Sequence, residues 1–149
     1  MNENEKWDLR FLELARHISQ WSKDPSIKVG AVITDNNNRV ISQGYNGLPR
    51  GVYDAVERYE NRAVKLQVIL HAEKNAILFA KCDLTGFTLY TWPFMSCAQC
   101  AAMVIQSGIS RCVAPETPED IGVRWQESTD LSKQMFFEAG VKLDLFEVN

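Results

Sequence analysis

Long apolar runs are missing from this chain of 149 residues. No segment approaches the roughly 20 consecutive apolar residues that a membrane-spanning helix needs, and the opening MNENEKWDLR has no apolar core of the kind found in secretion signals. The net charge of −3 argues against a surface built to track a nucleic acid, and the chain contains no internal repeat or low-complexity segment. These absences predict a cytoplasmic globular protein without membrane or nucleic-acid partners.

The four cysteines do not indicate a disulfide framework. In a chain without an export signal, a Cys-x-x-Cys pair such as Cys97 and Cys100 more often binds a metal or carries redox chemistry. The other two cysteines, Cys82 and Cys112, are predicted to be reduced core residues, because free cysteine is among the most buried residue types.

Helices are predicted where apolar residues recur every three or four positions. The first helix should end near Pro25, since proline disfavours helix in the residue before it. Gly140 suits the left-handed residue that often ends a helix, so the last predicted helix should end there. The predicted helices are a first one with the apolar face Trp7, Phe11, Leu14, Ile18 and Trp21, a second over 71–81 with Ala72, Ala76, Ile77 and Ala80 inward, a third over 97–106 and a fourth over 131–139.

Strands are predicted where short apolar runs are bounded by turn residues, and a turn over 35–38 makes the first two a hairpin. Residues 44–51 form a glycine-rich loop, and the polar stretch up to Arg62 predicts a long surface excursion. Because strands alternate with helices, we expect a single domain over residues 1–149, folded as a three-layer α/β/α sandwich with a mixed five-stranded sheet. The predicted strands are 29–33, one that opens at Val40 and Ile41, 87–92, 111–114 and 141–148, the last with Val141, Leu143 and Leu145 inward.

Two short motifs carry the chemistry, HAE over 71–73 and, 23 residues later, CAQC over 97–100. His71, Cys97 and Cys100 make three zinc ligands, and catalytic zinc sites keep a fourth position open for water, whose pKa the metal lowers to about 7. Glu73 is predicted to carry the proton of that water to a ring nitrogen and then to a departing amine. The alternative is a structural zinc knuckle with an exposed Glu73.

The spacing also predicts how the ligands meet. Cys97 and Cys100 lie at i and i+3 of a helix, so their sulfur atoms leave the same face, beside an electropositive helix start that favours thiolates. His71 and Glu73 open the other helix, where the imidazole reaches the metal and the carboxylate points toward the water. Two helix N-termini should therefore meet at one metal ion.

These motifs resemble the zinc-dependent cytidine deaminase superfamily, and more closely its deoxycytidylate (dCMP) deaminase branch. The resemblance covers nearly the whole chain, and HAExNAI together with GYNG is much more specific than the zinc ligands alone. The matching segments are KVGAVI over 28–33, GYNG over 44–47, PRG over 49–51, HAEKNAI over 71–77 and IQSGI over 105–109.

The resemblance implies a cytidine deaminase-like fold and the hydrolysis of dCMP to dUMP and ammonia, which supplies dUMP for thymidylate synthesis. It also implies a catalytic Zn²⁺ ion and a homohexamer. Allosteric regulation is implied as well, with dCTP as activator, dTTP as inhibitor and Mg²⁺ bound with the effector nucleotide.

One position departs from the family pattern. Relatives usually carry proline directly before the first zinc cysteine, whereas this chain has Ser96 there and its nearest proline is Pro93. We expect Ser96 to cap the helix by accepting a backbone hydrogen bond. Zinc binding should be retained because the ligands are unchanged.

The resemblance also places Asn46 on the nucleoside, a task that the donors and acceptors of its amide suit; the alternative is a turn residue with positive φ. The loop of Gly44, Tyr45, Asn46 and Gly47 is predicted to touch substrate on one side and an effector nucleotide on the other, its glycines letting backbone lie close to a ligand. Tyr45 would stack on or position a ligand, or else be a plain core tyrosine.

Candidates for the 5′-phosphate are Ser26 and Lys28, in the loop between the first helix and the first strand, with Arg50 and Arg124 as alternatives. Each of the four is otherwise a solvated surface residue. Trp125 is predicted either to close over a base or to pack at a subunit interface.

Two other functions stay open on the sequence alone. A polynucleotide deaminase, acting for instance on tRNA, shares the metal chemistry but fits neither the acidic balance nor the GYNG motif. A non-catalytic zinc-stabilised binding module is the second, and Glu73 argues against it, because a structural site needs no base.

Overall fold

The computed structural model describes residues 2–147, and within them five strands form one mixed sheet. The central pair is β1 (Gly30–Thr34) and β3 (Thr88–Trp92), which run antiparallel. Beyond β1 lies antiparallel β2 (Val40–Tyr45), and beyond β3 lie parallel β4 (Arg111–Pro115) and β5 (Lys142–Phe146). The predicted mixed five-stranded sheet is confirmed, and Val148 of the predicted last strand lies outside the described residues.

Helices cover both faces of this sheet. The helix α1 (Glu3–Ser19) packs on one face, and α4 (Ala72–Ala80), α5 (Ala98–Gln106) and α6 (Val123–Ala139) pack on the other. Two short helices, α2 (Val56–Glu60) and α3 (Arg62–Val68), lie in the chain between β2 and α4. The predicted three-layer sandwich is confirmed, and no helix among residues 2–147 is long and apolar enough to cross a membrane.

The two faces of β1 show how the core divides. Val32 belongs to the cluster under α1, whereas Ala31 and Ile33 belong to the larger cluster under the other helices, since successive side chains of a strand point to opposite faces. Gly30 lets α1 lie directly on the sheet, because a Cβ atom there would be 2.0 Å from the carbonyl oxygen of Ala15.

The helices differ from the predictions in three places. The first helix ends at Ser19 rather than near Pro25, and Trp21 lies outside it, half-exposed; the N–H groups of Trp21 and Ser22 bond to carbonyls three residues back, which closes the last turn. The predicted surface excursion up to Arg62 is mostly exposed, but it contains α2 and the first residue of α3, neither of which was predicted. Asn61 caps α3 by accepting a hydrogen bond from the Val64 N–H at 3.2 Å.

The last helix begins at Val123, eight residues before the predicted start. Its buried residues are Thr129, Ser132 and Phe136, while Leu131 is exposed. Small hydroxyl residues fill the inward face of its first half, so apolar periodicity could not reveal it. The left-handed cap at Gly140 is confirmed, with a φ of 76°.

Candidate metal centre and active site

Three potential zinc ligands converge where two helices begin. His71 is the N-cap residue of α4, Cys97 is the N-cap residue of α5, and Cys100 lies in the first turn of α5. The Nδ1 atom of His71 is 3.1 Å from the Sγ atom of Cys100 and 3.6 Å from that of Cys97. The expected meeting of two helix N-termini is confirmed.

The geometry of these atoms fits a zinc ion. Zinc bonds of about 2.3 Å to sulfur and about 2.0–2.1 Å to nitrogen, in tetrahedral geometry, separate neighbouring ligand atoms by roughly 3.6 Å. All three ligand atoms here lie within 4.8 Å of one another, and one imidazole with two thiolates is a ligand set that suits zinc. Three protein ligands leave one coordination position open.

The two thiols differ in acidity because they are hydrogen-bonded to each other. A hydrogen bond from Cys100 lowers the pKa of the Cys97 thiol, and His71 adds to that effect. The pKa of Cys100 is raised by its bond to Cys97 and by burial. The first proton therefore leaves from Cys97, which presents a thiolate to an incoming cation.

Glu73 is buried beside these ligands, with 5% of its surface exposed. Burial raises the pKa of its carboxyl group, and a hydrogen bond with Ser96 opposes the rise. A buried carboxyl group with a raised pKa suits a residue that takes and returns a proton near neutral pH. The structural-knuckle alternative required an exposed Glu73, which is not what the structure shows.

The capping role predicted for Ser96 was wrong. The N–H of Ala98, at the start of α5, donates to the Oγ atom of Ser128 on α6 at 2.9 Å. Ser96 is itself buried, and its carbonyl oxygen accepts a hydrogen bond from the Ser132 hydroxyl at 2.9 Å. Two serines of α6 thus hold the segment that carries the cysteine ligands. The Ser96 side chain is instead hydrogen-bonded to Glu73, which opposes the rise in the pKa of that carboxyl group.

Of the two remaining cysteines, only one matches its prediction. Cys112 is buried in the core, as predicted, whereas Cys82 is exposed. Cys82 follows Lys81, whose left-handed conformation ends α4 and turns the chain outward.

A cavity of about 320 Å³ opens beside the metal ligands, a size within the range of small-molecule sites. Glu73 and two of the metal ligands lie on one wall, and α3 contributes two cations, Arg62 and Lys65. The lining residues are Asp24, Ser26, Ile27, Val29, Asn46, Arg62, Lys65, Leu66, Ile69, His71, Ala72, Glu73, Phe94, Met95, Cys97 and Trp125.

Residues 5–116 match the family described as the cytidine and deoxycytidylate deaminase zinc-binding region. The chain belongs to that family. An uncharacterized deaminase from the luxG 3′ region of Aliivibrio fischeri is 49% identical over 138 residues, covering 93% of this chain and 92% of the relative. The human deoxycytidylate deaminase is 35% identical over 114 residues, covering 72% of this chain and 64% of the relative. This deaminase chain therefore spans nearly all of the first relative and slightly less than two thirds of the second.

A solved structure shows the same fold. The dCMP deaminase of the cyanophage S-TIM5, in complex with dCMP and dUMP, superposes on this chain with a TM-score of 0.73. The match covers 98% of this chain and 99% of the phage chain at 23% sequence identity. The cytidine deaminase-like fold is confirmed.

Asn46 of this deaminase lies on the cavity wall and is buried. Its Oδ1 atom accepts a hydrogen bond from the Val29 N–H at 2.9 Å, and its Nδ2 atom donates to the Ile27 carbonyl at 2.9 Å and to Asp24 Oδ2 at 3.2 Å. Since Asn46 does not have a positive φ, the turn-residue alternative is wrong. Both amide hydrogens are used, so only one acceptor position on Oδ1 remains for a ligand.

Of the four residues predicted to bind the 5′-phosphate, only one lines the cavity beside the metal ligands. Ser26 lines the cavity, whereas Lys28, Arg50 and Arg124 are not among its lining residues. The geometry therefore gives no support to these three as phosphate ligands. The cations that do reach the cavity, Arg62 and Lys65, lie on α3, a helix that the sequence analysis did not predict.

A second cavity of about 260 Å³ lies behind Asn46 and is lined by Tyr45, Gly47 and Arg50 as well. Asn46 is thus shared by both cavities. Tyr45 is exposed and meets Trp21 edge-on at 6.1 Å, so it is not a core tyrosine.

Gly44 does not belong to a ligand-binding loop. It lies on β2 and is buried under α4, where a Cβ atom would be 2.5 Å from the Ala72 carbonyl oxygen. The need for glycine at this position comes from helix packing and not from the approach of a ligand. Gly44 is therefore removed from the residues predicted to contact an effector nucleotide, and it does not line the second cavity.

Proposed function

We propose that this chain is a zinc-dependent hydrolase that converts dCMP to dUMP and ammonia. The observation that carries the proposal is a buried Glu73 on the wall of a nucleotide-sized cavity, next to three ligands that fit zinc. Deoxycytidylate deaminases among its relatives, such as the human protein, support dCMP as the substrate.

In this reaction His71, Cys97 and Cys100 would hold the zinc ion. A zinc ion bound there would lower the pKa of a coordinated water molecule to about 7, which would make a nucleophile available at neutral pH. Glu73 takes a proton from the attacking water and delivers it to a ring nitrogen of cytosine. It then takes the remaining proton of the added hydroxyl group and passes it to the amino group, which leaves as ammonia while the carbonyl forms. Glu73, His71 and Cys97 line the same cavity, so a ring bound there can meet both the carboxyl group and the metal site.

The 5′-phosphate is bound at the mouth of the cavity by Arg62, Lys65 and Ser26. Lys65 uses one of its three donors on Asp24, at 2.8 Å, and keeps two for a ligand. Arg62 offers a planar group that can grip phosphate through two hydrogen bonds. These residues replace Lys28, Arg50 and Arg124 as the phosphate candidates.

The base lies against an aromatic wall. Phe94 and Trp125 both line the cavity, and their rings meet edge-on with centroids 5.0 Å apart. Of the two roles predicted for Trp125, closing over a base is the one that this position supports. Aromatic packing of this kind holds a flat ring but does not distinguish one base from another. Hydrogen bonds from polar groups are needed to select cytosine.

Regulation and assembly complete the proposal. The second cavity, lined by Tyr45, Asn46, Gly47 and Arg50, is the candidate effector site for dCTP and dTTP, whose phosphates Mg²⁺ would partly neutralise. Because Asn46 faces both cavities, an effector can act on the substrate site directly. The active unit is a homohexamer, as the family resemblance implies.

The experiment that tests the proposal is product analysis. Zinc-loaded protein is incubated separately with dCMP, deoxycytidine and cytidine, and the products are separated by ion-exchange chromatography. The proposal predicts dUMP as the main product. Equal conversion of deoxycytidine to deoxyuridine would instead make the chain a nucleoside deaminase.

A further inference from the structure

Asp24 is a buried carboxylate on the cavity wall that neither the zinc site nor the proton transfers use. It is 1% exposed and lines the cavity. Sequence patterns indicated only that Pro25, the next residue, disfavours helix. Burying a charge this deeply costs folding free energy unless the charge is paired and hydrogen-bonded. The partners of Asp24 therefore indicate its role.

Each oxygen of Asp24 has its own partners. Oδ1 accepts hydrogen bonds from the Ser26 N–H at 2.9 Å and from the Lys65 ammonium at 2.8 Å. Oδ2 accepts from Nδ2 of Asn46 at 3.2 Å. Lys65 supplies the opposite charge, and this ion pair is poorly solvated because the Lys65 side chain is only 14% exposed. Among residues 2–147, the second oxygen of the carboxylate accepts only from Asn46.

A second path joins the same two residues through the backbone. The N–H of Asp24 donates to Ser22 Oγ at 3.2 Å, and the Ser22 hydroxyl donates to the carbonyl oxygen of Asn46 at 2.8 Å. The main chain and the amide of Asn46 are therefore both fixed from the segment 22–24.

We infer that Asp24 is a positioning residue that sets the orientation of the Asn46 amide. With both amide hydrogens held by Asp24 and Ile27, Asn46 can offer a ligand only its oxygen. A nucleotide in the cavity must then meet Asn46 with a hydrogen-bond donor, and the 3′-hydroxyl of the sugar is the donor that the reaction does not consume. The sugar contact rests on the proposed function, whereas the orientation of the amide does not.

The substitution Asp24→Asn tests this link with almost no change of shape. A carboxylate can accept from Ser26, Lys65 and Asn46 at once, but a carboxamide has an NH₂ group on one side. That group must face either the Asn46 NH₂ group or the donors of Ser26 and Lys65, and donors do not pair with donors. The Asn46 amide is no longer held in one orientation.

The experiment measures binding in a zinc-loaded Glu73→Gln background, in which dCMP turnover should be slowed about 10²–10⁴-fold. Calorimetry gives the dissociation constants of dCMP and of its 3′-deoxy counterpart, and their ratio reports the hydroxyl contact. We expect dCMP to bind at least about tenfold more tightly, since an unpaired buried acceptor costs roughly 1–3 kcal/mol. Adding Asp24→Asn should bring the ratio close to one.

Asp8→Asn is the matched control. Asp8 is also buried, at 3% exposed, and it pairs with Arg111 away from the cavity lining. A general loss of stability would affect both variants, but only Asp24→Asn should change the ratio. An unchanged ratio in Asp24→Asn, or an equal fall in Asp8→Asn, would overturn the inference.

Hydrogen exchange of the Asn46 side chain supplies a readout that needs neither turnover nor the Asp24 variant. In the Glu73→Gln protein its two Nδ2 hydrogens should exchange much more slowly than those of the exposed Asn37, both with and without dCMP. Exchange at the rate of an exposed amide would overturn the inference even if Asp24→Asn does not fold. If dCMP binds with the expected ratio but wild-type protein releases no ammonia, the proposed function fails while the inference stands.

Discussion

The Nδ1 atom of His71 lies 3.1 Å from the Sγ atom of Cys100, although the residues are 29 positions apart in the chain. The contact joins the N-terminus of α4 to the first turn of α5. Both helices pack on the same face of the sheet, so the position of the ligands is set by the core and not by a flexible loop. The metal site and the fold should therefore respond together when a ligand is removed.

Replacing Cys100 by Ala should remove zinc and activity together. We expect turnover of dCMP to fall by more than about a hundredfold, beyond the 10–100-fold typical of residues that only support a metal ligand. The melting temperature should also fall, because metal binding contributes to folding free energy. Metal analysis and thermal denaturation check this, with the exposed Cys82→Ala as the control that should match wild type.

The four thiols should differ sharply in reactivity. Burial raises the pKa of Cys112 to about 12, and the nearby Glu73 adds to the rise, so at pH 8 that side chain holds almost no reactive thiolate. In the zinc-loaded protein only the exposed Cys82 should react quickly with a thiol reagent. A chelator should then make Cys97 reactive as well, whereas Cys100 should stay slow because it is buried and its pKa is raised. Two fast thiols before chelation would contradict this assignment.

Arg62 should contribute to the preference for a nucleotide over a nucleoside. A hydrogen bond to a charged group contributes about 1.5–3 kcal/mol, so Arg62→Met should lower the ratio of kcat/KM for dCMP to that for deoxycytidine by roughly tenfold or more. Arg124→Met is the control, because Arg124 does not line the cavity. A fall in the ratio for Arg124→Met alone would contradict the assignment of Arg62 and favour Arg124, one of the two alternatives that the sequence analysis gave.

The effector site gives a prediction about cooperativity. Allosteric coupling is typically about 1–3 kcal/mol, so dTTP with magnesium should weaken the apparent affinity for dCMP by roughly 5–150-fold. dCTP should oppose it, and initial rates should be sigmoidal in dCMP. Tyr45→Ala, in the second cavity, should reduce the effector response more than the activity at saturating dCMP. Hyperbolic curves that millimolar dTTP leaves unchanged would contradict the regulatory proposal.

The sequence predicted the features that depend on neighbours along the chain. The ligand motifs, all five strands and the helices that carry the ligands follow from local periodicity and spacing, and the structure places them nearly where expected. The contacts that the sequence could not predict are those between residues far apart in the chain. Asp24 meets Lys65 from 41 positions away, and Ser128 caps a helix that begins 30 positions earlier. Polar residues of this kind carry no apolar pattern, so their roles appear only in the folded chain.

The measurement that tests the account most directly is ammonia release by zinc-loaded protein offered dCMP, cytidine or a tRNA in separate reactions. Wild type should release ammonia from dCMP with a kcat/KM far above that for the other two. Glu73→Gln should retain about one zinc ion per chain yet lose about 10²–10⁴-fold in rate, since the proposal assigns Glu73 to proton transfer and not to metal binding. Ammonia from tRNA but not from dCMP, or a Glu73→Gln protein that keeps zinc and full activity, would contradict it.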